Sequence, residues 1–276
     1  MAGMLYLVPT PIGNLGDISQ RCREVLAQAD FIAAEDTRVS VKLLNYLGIH
    51  KPLVSYYEHN KAQRGGKLLE RILAGETCAL VSDAGSPAIS DPGEDLVRLC
   101  AEAGVTVSAI PGPCAVITAL SISGLPTGRF TFEGFLSTAK KSRQAHLQDL
   151  AAEQRTMIFY EAPHKLLTTL QDMVPLFGPD RKISLCRELT KLHEEVIRTT
   201  LSEAVAFYTD NTPKGEFVLV LAGAAPTPKT QSTPADAARR VAELMEQGLS
   251  RKDAVRQAAQ ETGLPKNAVY DAALEA

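Results

Sequence analysis

The sequence lacks a large excess of charge of either sign, a closely spaced cysteine pair and an uninterrupted apolar run long enough to cross a bilayer. Its 29 Lys and Arg residues nearly balance 32 Asp and Glu, for a net charge of -3. A polyanionic partner must therefore be met by local patches, because no global basic field exists. The five cysteines, Cys22, Cys78, Cys100, Cys114 and Cys186, are scattered and odd in number, which argues for reduced thiols over a disulfide framework or zinc site. His50, His59, His146, His164 and His193 lie far apart, so no metal is expected. Pro9 and Pro11 interrupt the first apolar segment, so it does not read as a signal peptide. A cytoplasmic protein without a membrane span is expected. The uncharged stretch 105–128 is broken by Pro111, Gly112 and Pro113 and reads as a buried strand, a tight turn and a buried helix. There is no Walker-type loop and no glycine fingerprint after the first strand, which excludes the common nucleoside-triphosphate and nicotinamide sites. No serine occupies a Gly-x-Ser-x-Gly turn either, as a hydrolase nucleophile commonly would.

What is present is an ordinary globular composition, 45% hydrophobic and 22% charged over 276 residues, enough for two domains and a small appendage. Short Val, Ile and Leu runs alternate with segments of helical period, the pattern of an α/β protein. Strands are predicted at 5–8, 31–34, 53–56, 78–81 and 105–110, forming a mostly parallel sheet. A helix capped by Asp17 or Ser19 runs towards Ala29, and another spans 93–103, stopped by Gly104. A second set of strands, 130–135, 156–160, 183–186, 196–200 and 217–221, suggests a mixed sheet, with helices at 163–176 and 201–210. The predicted organisation is an α/β domain over 1–112, a second over 113–224, a linker over 225–234 and a helical tail over 235–276. Tail helices at 235–247, 251–261 and 266–274, with a turn at Gly263, Leu264 and Pro265, give a helix-turn-helix-like arrangement.

In an open parallel sheet, ligands bind beyond the carboxyl ends of the strands. Each of the first five runs is followed there by reactive or turn-forming residues: Pro9 to Asn14, Glu35 to Arg38, Tyr57 to Asn60, Ser82 to Pro87 and Pro111 to Cys114. Turn residues alone explain any one of them, but five along one edge point to a shared cleft.

Taken in order, 9–14, 35–38, 82–93, 111–115, 161–165, 186–191 and 214–217 resemble the tetrapyrrole-methylase superfamily. More narrowly, Val-Pro-Thr-Pro-Ile-Gly-Asn-Leu at 8–15, Ala-Ala-Glu-Asp-Thr-Arg at 33–38, the run 81–93, Leu136 after Glu-Gly-Phe, and Arg-Glu-Leu-Thr-Lys at 187–191 look like the small-subunit ribosomal RNA cytidine 2'-O-methyltransferases. The resemblance spans the whole chain. It implies a kidney-shaped pair of α/β domains, a homodimer, and S-adenosylmethionine as cofactor. Carried over residue by residue, the cofactor contacts fall on Pro9, Asp83, Gly85, Ser86, Ile89, Cys114, Ala115, Tyr160, Ala162 and Gly215. Small residues suit a cofactor held by main-chain groups, since they permit close backbone approach. Tetrapyrrole enzymes usually carry aspartate directly before the proline of the fourth-strand loop; here Ser86 precedes Pro87, which favours the RNA branch.

The implied reaction is methylation of the ribose 2'-hydroxyl of a cytidine in the decoding region of 16S rRNA, the small ribosomal subunit being the partner. A sulfonium methyl is already activated, so alignment for in-line displacement is the main task. A base or acceptor for the hydroxyl proton would come from the strand-end carboxylates, Glu35, Asp36 and Glu58 first, then Glu161 and Glu188; the same groups can also serve only as ion-pair partners of Arg38 or Arg187. RNA phosphates would be met by Arg38, Lys140, Lys141, Arg143, Lys165, Arg187 and Lys214, with Tyr56 and Tyr57 stacking on bases and 140–143 forming a loop. Two alternatives share the fold: a small-molecule tetrapyrrole or corrin methyltransferase, and a non-catalytic RNA-binding protein.

Overall fold

The computed structural model describes residues 3–225 and 233–275, which fall into two compact units, Met1–Ala224 and Ala225–Ala276. The larger unit opens with β1 (Met4–Leu7), α1 (Gln20–Gln28), β2 (Phe31–Ala34), α2 (Thr37–Leu47), β3 (Leu53–Ser55), α3 (Lys61–Leu73), β4 (Cys78–Val81), α4 (Glu94–Glu102) and β5 (Thr106–Ala109). The strands form one parallel sheet in the order β3-β2-β4-β1-β5. Every residue of β2 and β4 is buried, because helices cover both faces; this is why these segments read as continuous apolar runs. Alternate side chains serve opposite cores. Ile32, Ala34, Ala79 and Val81 pack with Leu26 and Leu44, while Phe31, Ala33, Cys78 and Leu80 pack with Leu68, Ile72 and Leu96. Ser19, not Asp17, caps α1, its side chain accepting from Cys22 N at 3.1 Å.

After Pro111-Gly112-Pro113 the chain changes sheets. Helix α5 (Ala115–Ile122) buries Val116, Ala119 and Leu120 against Ile158, Val218 and Val220 of the second sheet. That sheet comprises β6 (Phe130–Phe135), β7 (Thr156–Glu161), β8 (Lys182–Arg187), β9 (Glu195–Thr200) and β10 (Phe217–Leu221), with α6 (Lys140–Asp149), α7 (Pro163–Phe177) and α8 (Leu201–Asp210) between them. Its order is β6-β7-β10-β8-β9. Only β6 and β7 pair in parallel; β10 runs antiparallel to β7 and β8, and β8 to β9. The sheet is mixed, as the sequence implied.

The smaller unit contains α9 (Pro234–Glu246), α10 (Arg251–Thr262) and α11 (Lys266–Glu275) around a core that includes Val241, Leu244, Val255 and Val269. Thr233 and Asp236 form a reciprocal capping box and Pro234 takes the first helical turn, so α9 begins inside the stretch assigned to a linker. Residues 226–232 of that linker lie outside the described residues. Gly263 ends α10 in the left-handed conformation, φ 72°, the geometry that a glycine stop supplies. Three arginines of this unit are tied to neighbours: Arg240 to Glu243 and Glu261, Arg239 to Asp236, Arg256 to Asp253.

Four further expectations change. β1 starts one residue early because its ladder to β5 begins at the pair Met4–Thr106, yet Val8 stays buried and its N–H bonds Leu80 O at 2.9 Å. Residues 140–143 are the first turn of α6, not a loop. Arg143 is only 8% exposed; its Nε donates to Asp172 at 2.8 Å and its Nη1 to the Ser137 and Thr138 carbonyls at 3.1 and 3.2 Å, so it fastens α6 to α7 and is spent as a phosphate ligand. Tyr56, just past β3, is fully buried and cannot stack on a base; Tyr57 remains exposed.

Removing one partner of a buried pair leaves the other charge uncompensated. Arg143→Ala is expected to lower stability by about 3 kcal/mol, read as a shift in the denaturant midpoint of the larger unit. Exposed Lys140→Ala should change it by less than about 0.5 kcal/mol.

Candidate active site

A cavity of about 460 Å³ opens where the carboxyl ends of the first sheet's strands face the second sheet. From the first sheet come Ile12 after β1, Glu35 after β2, Asp83 to Ser86 and Ile89 to Asp91 after β4, and Cys114 and Ala115 at the start of α5. From the second come Phe135, the corner Tyr160 to Pro163, Cys186, Leu189, Lys191 and the start of β10 at Glu216 to Val218. Four of the five strand ends thus share a cleft. The fifth, after β3, does not reach it, because β3 lies at the far edge beyond β2, whereas the other edge strand, β5, adjoins β1.

The walls approach closely through small residues. Thr10 and Gly85 exchange backbone hydrogen bonds at 2.9 and 3.0 Å, joining the loops after β1 and β4. Gly85 has φ 85°, and a Cβ there would lie 3.3 Å from Ile12. Ser86 Oγ donates to Pro113 O at 3.0 Å, fixing the Pro-Gly-Pro turn, where a Cβ on Gly112 would lie 2.8 Å from Pro9. Gly13 leaves room for Leu189, Thr190 and Lys191 after β8. The loop after β4 holds two non-glycine residues in the left-handed region, Ala88 at φ 66° and Ser90 at φ 69°, each costing about 1–3 kcal/mol.

Electrostatically the cavity is acidic. Burial raises the pKa of Glu35, and the charges of Asp91 and Asp83 add to it. Burial likewise raises Asp83, against a hydrogen bond from Asp36 N at 3.1 Å. Asp91 is pushed up from the ordinary aspartate value to about 6 by burial and by Asp83, with the Ser82 hydroxyl opposing. Burial is also the leading cause of the raised Tyr160 hydroxyl. The one cation lining the cavity among the described residues, Lys191, is bound to Glu188 and Glu216 at 2.8 Å each. No group of three His, Cys, Asp or Glu among the described residues is placed to hold a metal ion. An acidic, metal-free pocket with apolar flanks at Ile12, Ile89 and Leu189 suits a positively charged organic ligand of about 300–1,000 Å³ pocket class better than a phosphate.

Of the residues named for the cofactor, Asp83, Gly85, Ser86, Ile89, Cys114, Ala115, Tyr160 and Ala162 line the cavity. Pro9 lies behind it, on a neighbouring apolar groove with Pro87 and Val97. Gly215 (φ 82°) is instead where Glu188 packs, since a Cβ there would meet that side chain. Of the named bases Glu35 and Glu161 line the cavity. Asp36 caps α2 and its carboxylate grips Arg38, whose hydrogen bonds lower its pKa to about 2. Glu58, 65% exposed, pairs with Lys61 at 2.7 Å. Glu161 is buried, accepts from Thr169 Oγ1 at 2.6 Å and Ala162 N at 2.9 Å, and so holds the β7–α7 corner. Among the named RNA contacts, Arg187 pairs with Glu195 at 3.0 Å, while Lys140, Lys141 and Lys214 are exposed and Lys165 half-buried on α7. Sequence reasoning missed Asp91 and Lys191 as cavity residues, although both lie inside motifs it quoted; Asp91 precedes Pro92 and reads as turn punctuation.

Folded Asp91 binds its proton up to about pH 6, whereas the unfolded chain releases it near the ordinary aspartate value, roughly 4. Its charge therefore costs stability above pH 6, and the cost disappears as pH falls towards 4. Asp91→Asn is expected to raise Tm by roughly 2–4 °C at pH 7.5 and to leave it unchanged at pH 4, as thermal denaturation at the two pH values would register.

Comparisons with known proteins agree with this geometry. The model of the tetrapyrrole (corrin/porphyrin) methylases matches residues 4–205, and that of the RsmI C-terminal HTH domain matches 231–276. A Synechocystis sp. protein named ribosomal RNA small subunit methyltransferase I is 52% identical over 99% of this chain and 98% of its own. The Escherichia coli O157:H7 protein of the same name is 48% identical over 99% and 95%. In fold, the chain is similar to the crystal structure of uroporphyrin-III C-methyltransferase from Thermus thermophilus complexed with S-adenosylhomocysteine, at TM-score 0.55 and 18% identity over 79% of this chain and 97% of that one. Matched by the methylase model from β1 into α8 and by the second model along the tail, the chain belongs to the tetrapyrrole (corrin/porphyrin) methylase family.

Proposed function

We propose that the protein transfers the methyl group of S-adenosylmethionine to the ribose 2'-hydroxyl of a cytidine in the decoding region of 16S rRNA, in the small ribosomal subunit. The observation that carries this reading is likeness along nearly the whole chain, tail included, to relatives named for small-subunit ribosomal RNA methylation. The site supports it. Bound S-adenosylmethionine supplies a methyl carbon activated by a neighbouring sulfonium. Asp83 and Glu35 offer negative charge to a cationic ligand, Ser86 and Ala115 offer main-chain groups, and Gly85 and Ala162 are small enough to permit close approach. Tyr160, edge-on to Phe132 with ring centroids 5.0 Å apart and tilted against Phe135 at 5.4 Å, closes the far wall. Exclusion of water and orientation are the contributions expected of such a pocket.

Exposed Lys140, Lys141 and Lys214, with Lys165, are the candidates for RNA phosphates; Arg38 and Arg187 would have to exchange their carboxylate partners to join them. The same reading includes a homodimer in the cytoplasm, and the free thiols suit a reducing compartment.

Purified protein, S-adenosylmethionine carrying a labelled methyl and small subunits lacking the modification provide the test. The expected result is label in a dinucleotide that resists alkaline cleavage, since a methylated 2'-oxygen cannot attack the adjacent phosphate. Cofactor binding with transfer to a tetrapyrrole and none to RNA would replace this reading, and failure to bind the cofactor would end it. Gly85→Val, which puts a branched side chain against Ile12 at positive φ, should weaken S-adenosylmethionine binding at least about tenfold, near 1.4 kcal/mol, by calorimetry.

A further inference from the structure

We propose that Asp91 accepts the proton of the attacking ribose hydroxyl. This rests on the ribose-methylation reading above and names a catalytic group for it. Three carboxylates without an ion-pair partner among the described residues line the first-sheet side of the cavity: Glu35, Asp83 and Asp91. Asp83 is engaged by the backbone N–H of Asp36 and so ties the loop after β4 to that after β2. The charges acting on Glu35 all come from its own side, from Asp91, Asp83 and Asp36. Asp91 directly follows Ser90, held at φ 69°, and lines the cavity with it, opposite a wall that includes Tyr160 and Phe135.

The surroundings leave that carboxylate basic. The polar groups about it are the Ser82 hydroxyl, Asp83, Glu35, Tyr160 and, beyond Tyr160, the Cys114 thiol. None is a cation, and the cation lining the cavity, Lys191, is already bound to two glutamates. The backbone also holds Asp91 at some cost: it follows Ala88 and Ser90, both at positive φ, and precedes Gly93 at φ 145°, where a Cβ would lie 2.8 Å from Leu80. Strain kept next to a half-buried, uncompensated acid is expected where placement serves chemistry. The step balances: the hydroxyl proton passes to an Asp91 Oδ, the oxygen–methyl bond forms as the methyl–sulfur bond breaks, its electron pair stays on sulfur as a neutral thioether, and Asp91 later releases the proton to water.

The test compares the parent, Asp91→Asn and Asp91→Glu on unmodified small subunits across pH 5–9, with S-adenosylmethionine affinity measured on the same samples by calorimetry. The parent is expected to lose kcat on the acid side with an apparent pKa near the value of about 6 that its surroundings give Asp91. Asp91→Asn should lower kcat about 10²–10⁴-fold and abolish that acid limb, with KM for the subunit and cofactor affinity changed by no more than about threefold. Asp91→Glu should restore part of the rate and a shifted limb. A parent profile flat through pH 6, or an Asn variant that keeps the parent's kcat or loses cofactor affinity in proportion to rate, overturns the assignment to Asp91. Absence of methyl transfer to subunits by the parent overturns the ribose reading and this one with it.

Discussion

Most of the distinctive chemistry in this molecule comes from keeping carboxylates out of water at the ends of two fully buried strands. β2 and β4 sit side by side in a parallel sheet, so the loops that leave them emerge at one place, and both loops are acidic. The second sheet supplies Tyr160, Phe135 and the Glu161–Pro163 corner opposite them, and partial burial raises the proton affinity of Glu35, of Asp91 and, although its side chain is more exposed, of Asp83. Charged groups in such a setting lower stability, which the extensive apolar cores of both sheets offset.

Closure of this cavity depends on backbone approach. Gly85 against Ile12, Gly112 against Pro9 and Gly13 against the segment after β8 leave no room for a β-carbon or nearly none. The loops after β1, β4 and β8 therefore meet as main chain against side chain, and the amides and carbonyls of 84–86 and 114–115 stay within reach of a ligand. Asn14 and Ser19 cap the helical segments that follow the loop after β1, so little freedom remains in that side of the frame.

The sheets were legible in the sequence because their strands carry the right period: β2, β4 and β10 as unbroken apolar runs buried on both faces, the rest bounded by Gly and Pro. Much of the cavity's lining was legible for the same reason, strand-end chemistry being local in sequence. The illegible part is set by pairing over distance. Arg143 reads as one more cation in a Lys-Lys-Ser-Arg run until Asp172, 29 residues away, takes it. Tyr56 reads as an exposed aromatic until the helices over β3 enclose it. Glu58 looked equivalent to Glu35 because both come directly after a strand, but strand order, which sequence does not state, puts β3 at the edge. Asp91 was hidden by its neighbour Pro92, whose ordinary meaning is a turn.

The pairing of arginines with carboxylates throughout the described residues, in the tail as well as around the cleft, bears on how such a protein would behave among competing RNAs. Non-specific affinity for nucleic acid comes almost wholly from unpaired cations that displace counterions, and here most guanidiniums already have an internal anion. A chain of net charge -3 with its arginines paired in this way has little tendency to linger on arbitrary RNA. Discrimination would then reside in the shape of the folded subunit, and residence on wrong sites would be short without any need for a rejection step.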